Sequence, residues 1–110
     1  MATYESDGGR DDVRRYLDGM QRPDWSKMMA LLHRAADEGP PFMVPERCRP
    51  LKGESLNEFK THGHRILWMT ERGSVVLLTA FEKKQGGTPE SELVRGRNAR
   101  AAVLAELRGS

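Results

Sequence analysis

The sequence predicts an α+β fold: a small antiparallel β-sheet with an N-terminal helical hairpin on one face and a C-terminal helix. Three observations carry this prediction. Apolar residues recur at helical spacing between positions 13 and 36. Between 56 and 81 they give way to three strand-length runs separated by turn residues, and after Thr88-Pro89 the helical period returns. A chain of 110 residues and 12.4 kDa lies near the commonest domain size, so residues 1–110 are read as a single domain able to bury its own core.

In order along the chain, Ala2 to Glu5 has room for a short strand, and the turn residues that follow lead to a helix capped by Asp11 or Asp12. Val13, Tyr16, Leu17 and Met20 form one stripe of that helix, and Gly19 is its natural stop. Pro23 suits the first position of a second helix. Trp25, Met28, Met29, Leu32 and Ala36 line its face before Gly39, Pro40 and Pro41 end it. The short link makes the pair an antiparallel hairpin.

Residues 42 to 55, with three prolines and Gly53 in and around them, read as a long connection. LNEFKTH (56–62), HRILWMT (64–70) and SVVLLTAF (74–81) then read as a three-stranded meander, with turns at Gly63 and at Glu71-Arg72-Gly73. The third run is apolar at nearly every position, which predicts cover on both of its faces. Thr88 as cap and Pro89 at the first position open a last helix, with Leu93, Ala101, Leu104 and Leu107 on one side.

The net charge is +2. It is unevenly shared, because residues 1–59 hold nine Lys/Arg against eleven Asp/Glu while residues 60–110 hold nine against five. A basic second half permits an anionic partner and equally suits a solvated surface. The single cysteine, Cys48, cannot form an internal disulfide, and the composition suits a reducing, cytoplasmic setting. No apolar stretch has membrane-spanning length, and no cofactor motif appears.

Chemistry concentrates at the first hairpin. Strand alternation puts Leu56, Glu58, Lys60 and His62 on one face, with His64 and Arg65 just across the turn. Two imidazoles, an ammonium and a guanidinium at one strand end meet the needs of metal-free RNA cleavage. There a base takes the 2′-hydroxyl proton, an acid protonates the leaving 5′-oxygen, and cations hold the phosphate. The alternative reading is a solvated hairpin end. His62-x-His64 is also half of a metal site, but only the distant Cys48 and scattered carboxylates could complete it, so no metal is assigned. His33 reads as a surface residue, and Trp25 and Trp68 as core. Lys83 and Lys84 point to opposite faces if the third strand continues, so at most one of them meets Lys60 and Arg65 directly.

These elements and several local motifs resemble the HigB-like branch of the RelE/ParE superfamily of toxins from type II toxin-antitoxin systems. The motifs are EGPP (38–41), PLKG (50–53), EFK (58–60), HR (64–65) and LLTAFEKKQGGTPE (77–90). The resemblance implies a metal-independent endoribonuclease that cuts mRNA on the ribosome, leaving a 2′,3′-cyclic phosphate. It also implies a cognate helix-turn-helix antitoxin that neutralises the toxin in a hetero-oligomer. Carried over residue by residue, the family's strand arginines fall on Lys60 and Arg65, and its paired lysines on Lys83 and Lys84. Lys60 keeps the charge of an arginine and loses its two-pronged grip on phosphate. His62 and His64 rest on the hairpin argument alone, with base and acid roles exchangeable. Two other readings of the same fold are a ParE-like gyrase poison and a non-catalytic domain that only binds a partner or nucleic acid.

Overall fold

The computed structural model describes residues 2–5, 11–38, 47–83 and 86–108. The elements run β1 (Ala2–Thr3), α1 (Asp12–Asp18), α2 (Arg22–Glu38), β2 (Cys48–Pro50), β3 (Asn57–Thr61), β4 (His64–Glu71), β5 (Ser74–Glu82) and α3 (Glu90–Arg108). They form the expected α+β arrangement around a five-stranded mixed sheet of order β1-β5-β4-β3-β2. The meander is antiparallel, whereas β1 joins β5 in parallel. The added edge, β2, lies in the stretch expected to be a connection. Pro50 and neighbouring charges hide it from a strand pattern, but an edge strand tolerates a proline because one side of its backbone has no neighbour to bond.

Tight turns set the register. Thr61 pairs with His64 across His62-Gly63, and Glu71 pairs with Ser74 across Arg72-Gly73. Arg72 and Gly73 have φ of 52° and 80°, the left-handed geometry that twists a two-residue hairpin correctly. Leu67 pairs with Thr79 and Trp68 with Leu77, so Leu78 is an extra residue in β5. This bulge shifts the alternation of the strand, and Glu82 comes to lie opposite His64.

Each face of the sheet has its own core. On one side α1 and α2 cover Phe59, Ile66, Trp68, Val75, Leu77 and Ala80. Asp11 caps α1 by accepting from the Arg14 amide at 2.9 Å, as the sequence predicts. The buried stripe of α2 is Met28, Leu31, Leu32 and Ala35. It is thus turned slightly from the expected one, and Ala36 is exposed. Trp68 is buried and stacks on Phe59 at 4.8 Å. Trp25, expected in the core, is half-buried, with the Arg22 guanidinium 5.2 Å from its ring centre.

The other side carries Leu56, Leu67, Met69, Leu78 and Phe81 beneath α3. Both faces of β5 are therefore covered, as its unbroken apolar run predicts. Gly96 of α3 sits directly on this layer, and a Cβ there would lie 2.8 Å from Leu67 Cδ1 and 3.1 Å from Leu56 Cδ1. Ala101, expected on the packed side, is exposed. Thr88 lies two residues before α3, and its hydroxyl donates to Glu58 Oε2 at 2.8 Å. The segment expected to cap the helix thus ties it to the sheet. Gly39 to Pro41, the expected stop of the second helix, lie outside the described residues.

Candidate functional site

The turn between β3 and β4 divides the residues predicted to act together. Opposite partners across an antiparallel pair share a face. Lys60 pairs with Arg65, so both lie on the α3 side with Glu58, whereas His64 pairs with Thr61 on the side of the helical hairpin. The expected cluster of Lys60, His62, His64 and Arg65 is therefore two sites, one on each side of a two-residue turn. The physical reason is the period of two: His64 and Arg65 are adjacent in sequence and so point oppositely.

The first site is cationic. Arg47, Lys60, Thr61, His62 and Arg65 line a cleft of 370 Å³. Beneath it Glu58 is fully buried. Its carboxylate lies 3.4 Å from Arg49 Nη2 and 3.9 Å from Arg65 Nε, and accepts from Thr88. Arg65 is largely covered, at 12 % side-chain exposure. Its Nη1 donates to the carbonyls of His62 (2.7 Å) and His64 (3.0 Å). Arg65 thus staples the turn shut while keeping its charge under the cleft floor. Arg47 was missed by sequence reading because it lies in the apparent connection. It enters the site because its carbonyl accepts from the Lys60 amide at 2.8 Å as β2 pairs with β3.

His62 occupies the turn itself, with φ of 51°. This left-handed conformation is uncommon for a residue with a side chain, although histidine tolerates it better than most. His62 is exposed, and its Nε2 lies 2.6 Å from Lys27 Nζ on α2. Lys83 is half-buried beside the turn, where its amide donates to the Gly63 carbonyl at 2.7 Å. Its side chain is not part of the cleft lining. Lys84 lies outside the described residues.

The second site is built around His64. Its Nδ1 is 2.6 Å from the Tyr16 hydroxyl of α1, and its Nε2 is 3.0 Å from Asp24 Oδ2 of α2. An aspartate beside Nε2 favours a proton there, which leaves Nδ1 to accept from the phenol. Both ring nitrogens are thus engaged by the protein, and the contact ties the helical hairpin to the sheet end. Burial, then the charges of Glu82, Asp24 and Glu92, push the Tyr16 phenol up to about 12, so it remains a donor at neutral pH. The flanking cleft, 610 Å³, is lined by Arg15, Asp24, Gly63 and Glu82 among others. Its carboxylates make it a poorer host for phosphate than the cleft across the turn. Nothing in the sequence pattern foretold Tyr16 or Asp24, since the one reads as a core position and the other as a surface acid of a helix start.

Among the described residues no group of three or more His, Cys, Asp or Glu side chains is arranged to hold a metal ion. No helix among them is long and apolar enough to cross a membrane. No curated protein sequence matches the chain. Residues 15–101, which include the linings of both clefts, match the family of phage-derived Gp49-like proteins (DUF891). The match spans the second half of α1, all of α2, the whole meander and most of α3, and by it the chain belongs to the Gp49-like family, a RelE-toxin-like family of toxin-antitoxin systems.

Proposed function

We propose that this protein is the toxin of a type II toxin-antitoxin pair, of the HigB-like kind, and that it acts as a metal-independent endoribonuclease on mRNA. One observation carries the reading: Arg47, Lys60, His62 and Arg65 line a single cleft at the edge of the sheet. Three permanent cations around one opening suit a phosphodiester, and a histidine at its rim supplies a group that can move a proton near neutral pH. Lys60, Arg47 and the guanidinium of Arg65 hold the phosphate oxygens, and charge builds on those oxygens as the 2′-oxygen attacks. Lys83, just past β5 and beside the turn, extends the cationic rim along the RNA backbone, and Lys84 is proposed to join it there. The products are a 2′,3′-cyclic phosphate and a 5′-hydroxyl.

His64 serves this function by holding the hairpin against the sheet end, because its ring nitrogens face Tyr16 and Asp24. In the cell the protein is cytoplasmic, works on messages in the ribosome, and is neutralised by a co-encoded helix-turn-helix antitoxin. The test is to induce the protein and map transcript ends by primer extension. New ends within coding sequence are expected, and they should vanish in Lys60→Ala and Arg47→Ala. Arg47→Ala should also lower the salt slope of RNA binding by about one contact, a change in log–log slope of about 0.7 for single strands. Growth arrest with intact messages and DNA-damage signalling would instead support a gyrase poison and sink this reading.

A further inference from the structure

The cleft histidine makes a contact that the proposed chemistry has not used. Lys27 Nζ, on the exposed side of α2, stands 2.6 Å from His62 Nε2. A lysine ammonium carries three donors and no acceptor, so Nε2 must supply the lone pair. The imidazole is then neutral with its proton on Nδ1, and Nδ1 has no partner among the described residues. A histidine in this state cannot serve as the base, because its lone pair is already occupied by Lys27. It can serve as an acid, provided that Nε2 is protonated as Nδ1 gives its proton away.

The backbone holds this pair in place. Arg65 binds the His62 carbonyl and the Lys83 amide binds the Gly63 carbonyl, so both carbonyls of the turn are anchored. Among the described residues, Lys60 from β3, Arg65 from β4 and Arg47 just before β2 line the cleft with the ring, and Lys27 meets it from α2. These four are cations, and the Glu58 carboxylate beneath the cleft is engaged by Arg49, Arg65 and Thr88. The four cations favour handing a proton outward to a developing alkoxide.

Resting on the RNA-cleaving function proposed above, we infer that Lys27 and His62 form a proton relay that supplies the general acid for the leaving 5′-oxygen. His62 is the catalytic residue, and Lys27 is the positioning residue that acts through it. As the 2′-oxygen bonds to phosphorus, the P–O5′ bond breaks and its electron pair stays on O5′. O5′ takes the proton of His62 Nδ1 while His62 Nε2 takes one from Lys27 Nζ. The 2′-hydroxyl proton leaves to water, water reprotonates the Lys27 amine, and the ring regains its Nδ1–H tautomer by exchange with solvent.

The test compares ordinary single-stranded RNA, free and loaded on ribosomes, with RNA whose bridging 5′-oxygen at the cut is sulfur. A thiolate departs without needing a proton. Lys27→Met and His62→Gln are expected to slow cleavage of ordinary RNA by about 10²-fold or more and to leave cleavage of the sulfur substrate near the wild-type rate. Each comparison is a ratio of two substrates on one protein, so any loss of folded material cancels. If Lys27→Met slows both substrates equally, or neither, the relay is overturned while the RNA-cleaving function stands. If wild-type protein cleaves neither substrate in either setting, the function and the relay fall together.

Discussion

Replacing Glu58 should be among the most damaging single changes to this protein. Its carboxylate is fully buried, and three groups from different elements converge on it: Arg49 of β2, Arg65 of β4 and Thr88 at the entry to α3. Breaking a buried ion pair by removing one partner costs about 3–5 kcal/mol, because the other charge is left desolvated. Arg49 is 41 % exposed and can regain water, whereas Arg65 is 12 % exposed and cannot, so the lower end of that range applies to Glu58→Ala. The lost Thr88 bond adds about 1 kcal/mol. The expected total is about 4 kcal/mol, or a melting temperature lower by about 16 °C at roughly 4 °C per kcal/mol for a chain of this size. Glu58→Gln keeps the shape and an acceptor for Thr88, and should lose about half as much. Urea titration followed by the fluorescence of Trp68, which stacks on Phe59 next to Glu58, measures both. Thr88→Val should cost about 1 kcal/mol alone and almost nothing in the Glu58→Ala background. A Glu58→Ala variant within about 1 kcal/mol of wild type would refute the view that this carboxylate holds the cleft floor together.

Two further outcomes follow from the packing. Tyr16 is held protonated in the folded state, from an ordinary 10.0 up to about 12, so its contribution to stability is present below pH 10 and is lost as pH rises through 12. Burial likewise pushes Cys48 from 9.0 to about 11, with a contribution lost between those values. Urea midpoints measured across this alkaline range should fall, and Tyr16→Phe should flatten the upper part of the fall while leaving the Cys48 part. An unchanged profile in Tyr16→Phe would mean that the phenol is not buried against His64. Gly96→Ala sets a gain of about 1 kcal/mol in helix propensity against about 1–3 kcal/mol of overpacking on Leu67, so denaturation should show a net loss of about 1 kcal/mol. A stabilised variant would show that α3 rides higher on the sheet.

By itself the sequence determined the order of every element except β2, because each of the others is marked by local physics. Asp11 caps α1, Gly19 ends it, the apolar period places α2, and Gly63 and Gly73 mark the two hairpins. It also carried the cationic residues of the β3–β4 end, since Lys60, His62 and Arg65 lie within one hairpin. What it could not show is which side of the sheet each residue serves. His62 and His64 look like a pair along the chain, but one sits in the turn and the other faces the helical hairpin. Tyr16, Asp24 and Lys27 lie 35 to 48 positions from the histidines they contact, and Arg47 lies in a strand-edge approach that no periodicity marks. Alternation along a strand is a local property that sequence spacing records. The docking of α1 and α2 and the pairing of β2 arise only when separate apolar faces are buried together, so the tertiary structure alone decided which cation meets which histidine.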